Sequence, residues 1–255
     1  MKTKQEIIQN WLPRYTERPL EDFSNLILLT NFNHYVDKFA EWNDVPVKNG
    51  SMRNASANGI TIINFGMGSP NAALIMDILP AINPRAVLFL GKCGGLKDKN
   101  KLGDYILPSA AIRGEGTSND YFPPEIPALP AFSLQRAVSS NIRDLGKDYW
   151  TGTVYTTNRR VWEHDEIFCE YLRKTRAMAV DMETATLFSV GFHNNISIGA
   201  LLLISDMPLQ KDGIKTSESD KKVTSDFVDE HLKIGIKSLN SIKDNSKTIR
   251  HLRYE

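Results

Sequence analysis

Short apolar runs rich in β-branched residues alternate along this chain with longer segments whose apolar positions recur every three or four residues. Runs of the first kind, at 25–30, 60–65, 86–91, 104–107, 151–155, 178–181 and 198–205, predict strands. Several are apolar at every position, as expected for strands buried beneath helices on both faces. Segments of the second kind predict helices over 4–12, 33–42, 71–79, 134–145, 165–175, 183–193 and 223–242. In the last of these, Val228, Leu232, Ile236, Leu239 and Ile242 line up as one stripe for burial. Alternating strands and helices are the mark of an α/β fold, with a central twisted sheet, mostly parallel or mixed, between layers of helices. The proline-rich segment 113–130 predicts a long ordered loop, a kind of segment that often carries function. Without an internal repeat, a low-complexity tract or an interior linker, the pattern predicts one domain over 1–255.

Composition narrows the class. With 255 residues, 41% of them hydrophobic, the chain can bury a substantial core, and intrinsic disorder is excluded. The 31 Lys+Arg balance 30 Asp+Glu to a net charge of +1, which argues against a nucleic-acid or membrane-surface binder. An anionic ligand would have to be met by a few placed cations. Cys93 and Cys169 cannot build a disulfide framework, and the five scattered histidines form no HExxH motif, so neither a metal nor a cofactor is expected. The first residues lack the apolar stretch of a signal peptide, and the longest apolar runs, 86–90 and 200–204, are far too short to span a bilayer. The expectation is a soluble, cytoplasmic protein.

Three strand ends carry candidate chemistry, because ligands of open α/β sheets bind beyond the carboxyl ends of the strands. They read Gly66-Met67-Gly68-Ser69-Pro70-Asn71, Gly91-Lys92-Cys93-Gly94-Gly95 and Ser205-Asp206. Glycines at such places allow positive φ and close approach of backbone N–H groups to a ligand, though each pair serves equally well in a plain strand-to-helix turn. Ser69 can cap the helix that follows, with Pro70 at its first position. Neither glycine segment is GxGxxG or a P-loop, so dinucleotide and Walker-type binding lack support. The acidic group Asp181-Met182-Glu183 lies where a strand becomes a helix. A carboxylate there can accept two hydrogen bonds from vicinal hydroxyls, or simply favour the helix dipole. Asp206 follows the apolar run Leu201-Leu202-Leu203-Ile204. Desolvation there can keep a carboxyl protonated as an acid, and the alternative is a turn Asp before Pro208.

Taken in order and spacing, GMG after one strand, GxCGG after the next, Met182-Glu183-Thr184-Ala185 and Ser205-Asp206 make the chain resemble the nucleoside phosphorylase/nucleosidase superfamily. The resemblance covers nearly all of the chain and implies that superfamily's three-layer α/β fold. Within it, Thr30-Asn31-Phe32, Tyr35–Phe39, Thr156–Glu163 and the tail Leu252-Arg253 are similar to the catalytic part of the AMP nucleosidase family. Longer members of that family carry an extra N-terminal regulatory domain for which these residues leave no room, so ATP-type activation is not expected. Phosphorolytic relatives commonly show a Gly-Asp-Pro-x-Arg loop after the first strand and an Arg before the GxCG turn. Here Thr30-Asn31-Phe32-Asn33-His34 and Phe89 stand in those places, which favours water over inorganic phosphate as nucleophile. Lys92, an unusual cation inside the second turn, is able to compensate.

The resemblance implies hydrolysis of AMP to adenine and ribose 5-phosphate through an oxocarbenium-like transition state. It makes Asp206 the general acid toward the purine, Glu183 the ribose-binding carboxylate and Met182 the residue against the sugar. Trp162 is the candidate for stacking on the base, the alternative being core packing. Gly66, Gly68 and Lys92 complete the expected substrate contacts. Arg113, Arg159, Arg160 and Arg253 are the candidate cations for the 5'-phosphate. The resemblance also implies a homo-oligomer, built on dimers and reaching hexamers, in which His34 or Arg253 serves a neighbouring pocket. A purine nucleoside phosphorylase and a nucleotide-binding sensor without turnover are the competing readings, and retention of both Glu183 and Asp206 argues against the second.

Overall fold

A computed structural model describes residues 2–244. Its strands are β1 (Leu26–Thr30), β2 (Asn54–Ala57), β3 (Ile60–Asn64), β4 (Ala86–Gly95), β5 (Tyr105–Gly114), β6 (Trp150–Thr157), β7 (Ala179–Asp181) and β8 (Ile198–Asp206). Its α-helices are α1 (Lys4–Thr16), α2 (Asn33–Asn43), α3 (Ser69–Ile78), α4 (Phe132–Asp144), α5 (Glu166–Thr175), α6 (Thr184–His193) and α7 (Ser217–Asp244). The candidate phosphate ligand Arg253 and its neighbour Leu252 lie outside the described residues.

One mixed sheet runs in the order β2-β3-β1-β4-β7-β6-β5-β8, and β8 pairs again with β4. The last five strands therefore close on themselves, and β2 and β3 extend from one side of that ring. Parallel pairing joins β1 to β3 and β4, β4 to β8, and β6 to β5 and β7. Antiparallel pairing joins β2 to β3, β4 to β7 and β5 to β8. Strand alternation sorts side chains into two layers. Ile27, Leu29, Val87, Phe89, Ala200 and Leu202 enter a core covered by α1, α3 and α6. Leu26, Leu28, Leu88, Leu90, Leu201 and Leu203 enter a core covered by α2, α4 and α7. Helices thus cover both faces, as the uniformly apolar strands require. The stripe on α7 buries Val228, Leu232 and Leu239, with Ile236 and Ile242 packed at its margin.

Four expectations change. Strand β2, a short polar-and-small run, carried no hydrophobic signal and forms because β3 offers it an edge. Strand β4 continues through Gly91-Lys92-Cys93-Gly94-Gly95 rather than ending in a glycine turn, because β8 and β7 keep pairing with it. The glycines there lack positive φ; a Cβ would meet Phe89 at Gly91, Pro208 and Val180 at Gly94, and Met207 at Gly95. They are small because neighbours press on them. Strand β5 likewise runs to Gly114 against β6, so the long loop begins later than its composition suggests. Helix α3 starts at Ser69, with Gly68 as its N-cap, so Ser69 is not the cap.

Helix α7 is tied to the sheet through His231, which is fully buried. Its Nε2 lies 3.0 Å from the Leu201 carbonyl and its Nδ1 2.8 Å from the Tyr35 hydroxyl. A carbonyl only accepts, so Nε2 carries the proton and the Tyr35 hydroxyl donates to Nδ1. Burial pushes the imidazole down to about 3. A folded-state value below the unfolded one means stability is intact above about pH 6.5 and is lost as pH falls toward 3. His231→Phe should cost about 2–4 kcal/mol at pH 7.5, because two buried polar partners are orphaned. Urea unfolding between pH 7.5 and 4.5 should show a shallower acid decline in this variant than in the parent chain.

Candidate active site

The carboxyl ends of β1, β3, β4, β6, β7 and β8 open into one cleft of about 580 Å³, counting its open mouth. Two turns remote in sequence meet at its floor. In the β3–α3 turn, Gly66 and Gly68 hold φ of +89° and +90°, a backbone that side-chain-bearing residues rarely adopt. This turns the Gly68 N–H toward Glu183, whose Oε1 it reaches at 2.7 Å. The Met182 N–H donates to Oε2 at 3.2 Å, and Asn31 lines the cleft beside it. Ser69, freed from capping, donates its hydroxyl to the Met182 carbonyl at 2.7 Å.

Glu183 stands at the N-cap position of α6 without capping it. That task falls to Asp181, the last residue of β7. Its Oδ2 accepts from the Thr184 N–H at 2.8 Å and from the Thr184 hydroxyl, and its Oδ1 from the Thr156 hydroxyl at 2.7 Å. Thr156 in turn accepts the Ala185 N–H at 2.9 Å, so β6, β7 and α6 are bolted together by one hydroxyl. Burial raises both carboxyls above the ordinary range. The threonine donors pull Asp181 back down, whereas the neighbouring Asp181 charge pushes Glu183 further up.

Asp206 ends β8 at an irregularity of register. Cys93 pairs with Ile204 and Gly94 with Asp206, leaving Ser205 as the extra residue of a bulge. The Ser205 hydroxyl donates to Asp206 Oδ1 at 2.7 Å. Burial raises the Asp206 pKa, Ser205, Lys215 and Arg160 oppose the rise, and Glu163 adds to it. The result is a carboxyl at a cleft wall that holds its proton more firmly than an exposed aspartate.

The cleft gathers Asp206, Met182, Glu183, Lys92, Trp162, Arg159 and Arg160 from the sequence-level candidates. Trp162 is 4% exposed, packs edge-on against Phe168 and still lines the wall. Gly66 and Gly68 act one step back, shaping the turn that holds Glu183 and leaving Met67 as the lining residue. Arg113 is not brought to the cleft. Its guanidinium is spent on the loop after β5, bonding Ser118, Asn119 and the carbonyls of Phe122, Pro123 and Ile126. It organises that loop rather than a ligand.

Sequence reasoning missed Lys215, Phe32, Glu163 and the amide of Asn31 as lining groups. Lys215 precedes α7 in a connection without periodicity, and Asn31, Phe32 and Glu163 stand in segments that carry the family resemblance without pointing to a ligand role. The cations are all paired: Arg159 with Asp165 at 2.9 Å, Arg160 with Glu163 at 3.3 Å, and Lys92 and Lys215 with Asp220 at 2.8 and 2.9 Å. Chemically, the cleft offers a carboxyl raised by burial on one wall, a donor-held carboxyl on the floor and paired cations at its sides.

The match to a family model described as the phosphorylase superfamily runs over residues 25–240, and the chain belongs to that superfamily. Within it, the chain is 29% identical to the AMP nucleosidase of Escherichia coli strain K12, over 91% of its own length and 58% of that protein. It thus spans less than two thirds of that curated relative. A crystal structure of AMP nucleosidase from Bacteroides thetaiotaomicron VPI-5482 aligns with a TM-score of 0.86 and 62% identity, covering 96% of this chain and all of that one. The uridine phosphorylase structure from Vibrio fischeri ES114, at 22% identity and a TM-score of 0.76 over 87% of this chain and 94% of that one, shares the fold.

Thr156→Val tests how the floor is built. The change keeps shape but orphans the Ala185 N–H and removes one donor from buried Asp181, so unfolding free energy should drop by about 1–3 kcal/mol. Denaturant titration measures it, and a loss under about 0.5 kcal/mol would show that the bolt is not structural.

Proposed function

We propose that this protein hydrolyses the N-glycosidic bond of AMP, giving adenine and ribose 5-phosphate. The observation that carries the reading is the meeting, in one cleft, of the half-buried Asp206 carboxyl and the donor-held Glu183 carboxyl. The 62% identical AMP nucleosidase structure supports the choice of substrate.

In this reading the C1'–N9 bond breaks with its electron pair passing to the purine. Asp206 delivers its proton to N7, so adenine departs neutral. Glu183 accepts hydrogen bonds from the ribose 2'- and 3'-hydroxyls, and those donors offset the desolvation of its carboxylate. As positive charge develops on the sugar, that negative charge draws closer to it in energy, a gain specific to the transition state. Met182 lies against the sugar and Trp162 beside the base. Water then adds to C1' and gives its proton to solvent, from which the Asp206 carboxylate is reprotonated, and the 5'-phosphate is met by the cleft cations. We read the protein as a cytoplasmic homo-oligomer built on dimers. Ile167 and Tyr171, exposed four residues apart on α5, offer an apolar face for association.

AMP incubated with the protein should release adenine with or without inorganic phosphate, and the sugar product should be ribose 5-phosphate. Chromatographic identification of the sugar decides this. Strict dependence on phosphate, with a 1-phosphorylated sugar, would replace the reading by phosphorolysis.

Asp206→Asn keeps the shape of the side chain and a hydrogen bond to the purine but removes the transferable proton. Its kcat on AMP should fall by about 10²–10⁴-fold, with KM changed far less. In the parent enzyme kcat/KM should decline as pH rises through the raised pKa of Asp206, and this limb should be absent from the variant. On a substrate whose leaving group departs unprotonated, the variant should regain most of its rate. Equal impairment on both substrates would assign Asp206 a structural role.

A further inference from the structure

The cations of the cleft fall into two sets with different surroundings. Arg159 and Arg160, after β6, each hold a carboxylate of their own, and their side chains are 45% and 55% exposed. Lys92 from β4 and Lys215 from the β8–α7 connection share one. Their Nζ atoms lie 2.8 and 2.9 Å from the same oxygen, Oδ1 of Asp220. The Lys92 side chain is 4% exposed and that of Lys215 20%, so Lys92 is the buried member of the pair and Lys215 the more exposed one. Thr224 Oγ1 accepts a further hydrogen bond from Lys92 at 2.8 Å. The Phe32 ring closes one side, 4.7 Å from Lys92 Nζ and 5.7 Å from Lys215 Nζ.

An oxygen held by two ammonium groups at such distances has the surroundings of a phosphoryl oxygen. The cluster sets two positive charges against one negative, so it retains attraction for an anion. Asp220 sits in the first turn of α7 and is partly exposed, at the end of a connection from β8. Its carboxylate can withdraw to water, whereas Lys92 is fixed in the sheet. We propose that Lys92 and Lys215 form a phosphate subsite of the cleft, that Asp220 occupies it in place of a phosphoryl group, and that an incoming phosphate displaces Asp220. The inference rests on reading the cleft as a nucleotide site, and it makes Asp220 a specificity-determining residue. Discrimination between a nucleotide and a nucleoside then depends on how well phosphate competes with a built-in carboxylate.

The test uses the full chain and two variants with opposite expected effects, Lys215→Met and Asp220→Asn. Calorimetric titration with inorganic phosphate gives binding without catalysis, and initial rates on AMP and adenosine give selectivity. Lys215→Met should weaken phosphate binding and raise KM for AMP by about 10–100-fold, as befits a lost charge-assisted contact, a loss about 10-fold larger than on adenosine, which still feels the removal of Lys215 from beside Asp206. Asp220→Asn should bind phosphate about 10-fold more tightly, since the competing charge is gone. A purely structural ion pair would make both variants worse, in the same direction and on both substrates. Opposite shifts in phosphate binding and in the AMP-to-adenosine ratio assign the subsite to the substrate's own 5'-phosphate. Opposite shifts in phosphate binding alone assign it to free inorganic phosphate.

Unchanged phosphate affinity in both variants, with normal unfolding transitions, overturns the proposal. So does an AMP-selective loss in an Arg159→Ala/Arg160→Ala double variant that Lys215→Met fails to reproduce. Failure of the parent enzyme to release adenine from AMP would sink the hydrolase reading instead, and the phosphate titration would still decide the subsite.

Discussion

The hydrogen bond from the Gly68 N–H to the Glu183 carboxylate is the constraint on which the site depends. A buried carboxyl without donors would be a large penalty, so its position follows its donors. Those donors come from the Met182 N–H beside it and from a glycine turn 115 residues earlier in the chain. The turn presents its N–H only because Gly66 and Gly68 tolerate positive φ. Ser69 gives up the cap of α3 to hold the Met182 carbonyl, which keeps the two turns in register. Asp181 and Thr156 then lock the same corner from the side of β6 and α6. Floor, corner and helix start form one hydrogen-bonded unit.

Around that unit, environment gives similar carboxyls different work. Asp181 is rich in donors and serves as a cap. Glu183 is held by backbone donors yet raised by burial and by its neighbour, so it is ready to exchange a poor environment for a better one when hydroxyls arrive. Asp206, with one hydroxyl donor and a desolvating wall, holds its proton more firmly than an exposed aspartate. The cations obey the same economy. Each has a carboxylate partner, so the cleft is not a strong positive field, in keeping with a chain whose net charge is only +1.

Closure of the five strands from β4 to β8 places these groups within reach of one another. The ten-residue β4 is the common member: it pairs with β1 and β8 along its length and with β7 at its end. Its glycines admit Phe89, Pro208 and Met207 at close quarters, which draws the β8 end toward the β4 end. The bulge at Ser205 then sets Asp206 at the wall. A flat open sheet of the same strands would leave Asp206 on an edge strand, three strands away from β7 and Glu183.

The layers of the fold were legible in the chain because apolar runs need cover on both faces and helical stripes need a floor. Seven of the eight strands and all seven α-helices announced themselves in this way, and the strand-end motifs named Glu183, Met182, Asp206, Lys92 and the arginine pair after β6. What escaped had no local signal. Strand β2 exists because a neighbour offers an edge, and β4 and β5 outrun their hydrophobic cores because pairing carries them on. Lys215 and Asp220 reach the cleft only when the start of α7 folds over the end of β4. Arg113 looked like a ligand cation and became the organiser of its own loop, since carbonyls a few residues away offered its donors nearer partners. Sequence by itself determined which residues can do chemistry and which faces must be buried, because side-chain type and spacing are local properties. Tertiary structure alone decided which charges meet, because pairing over more than a hundred residues is set by sheet closure and by the desolvation that closure imposes.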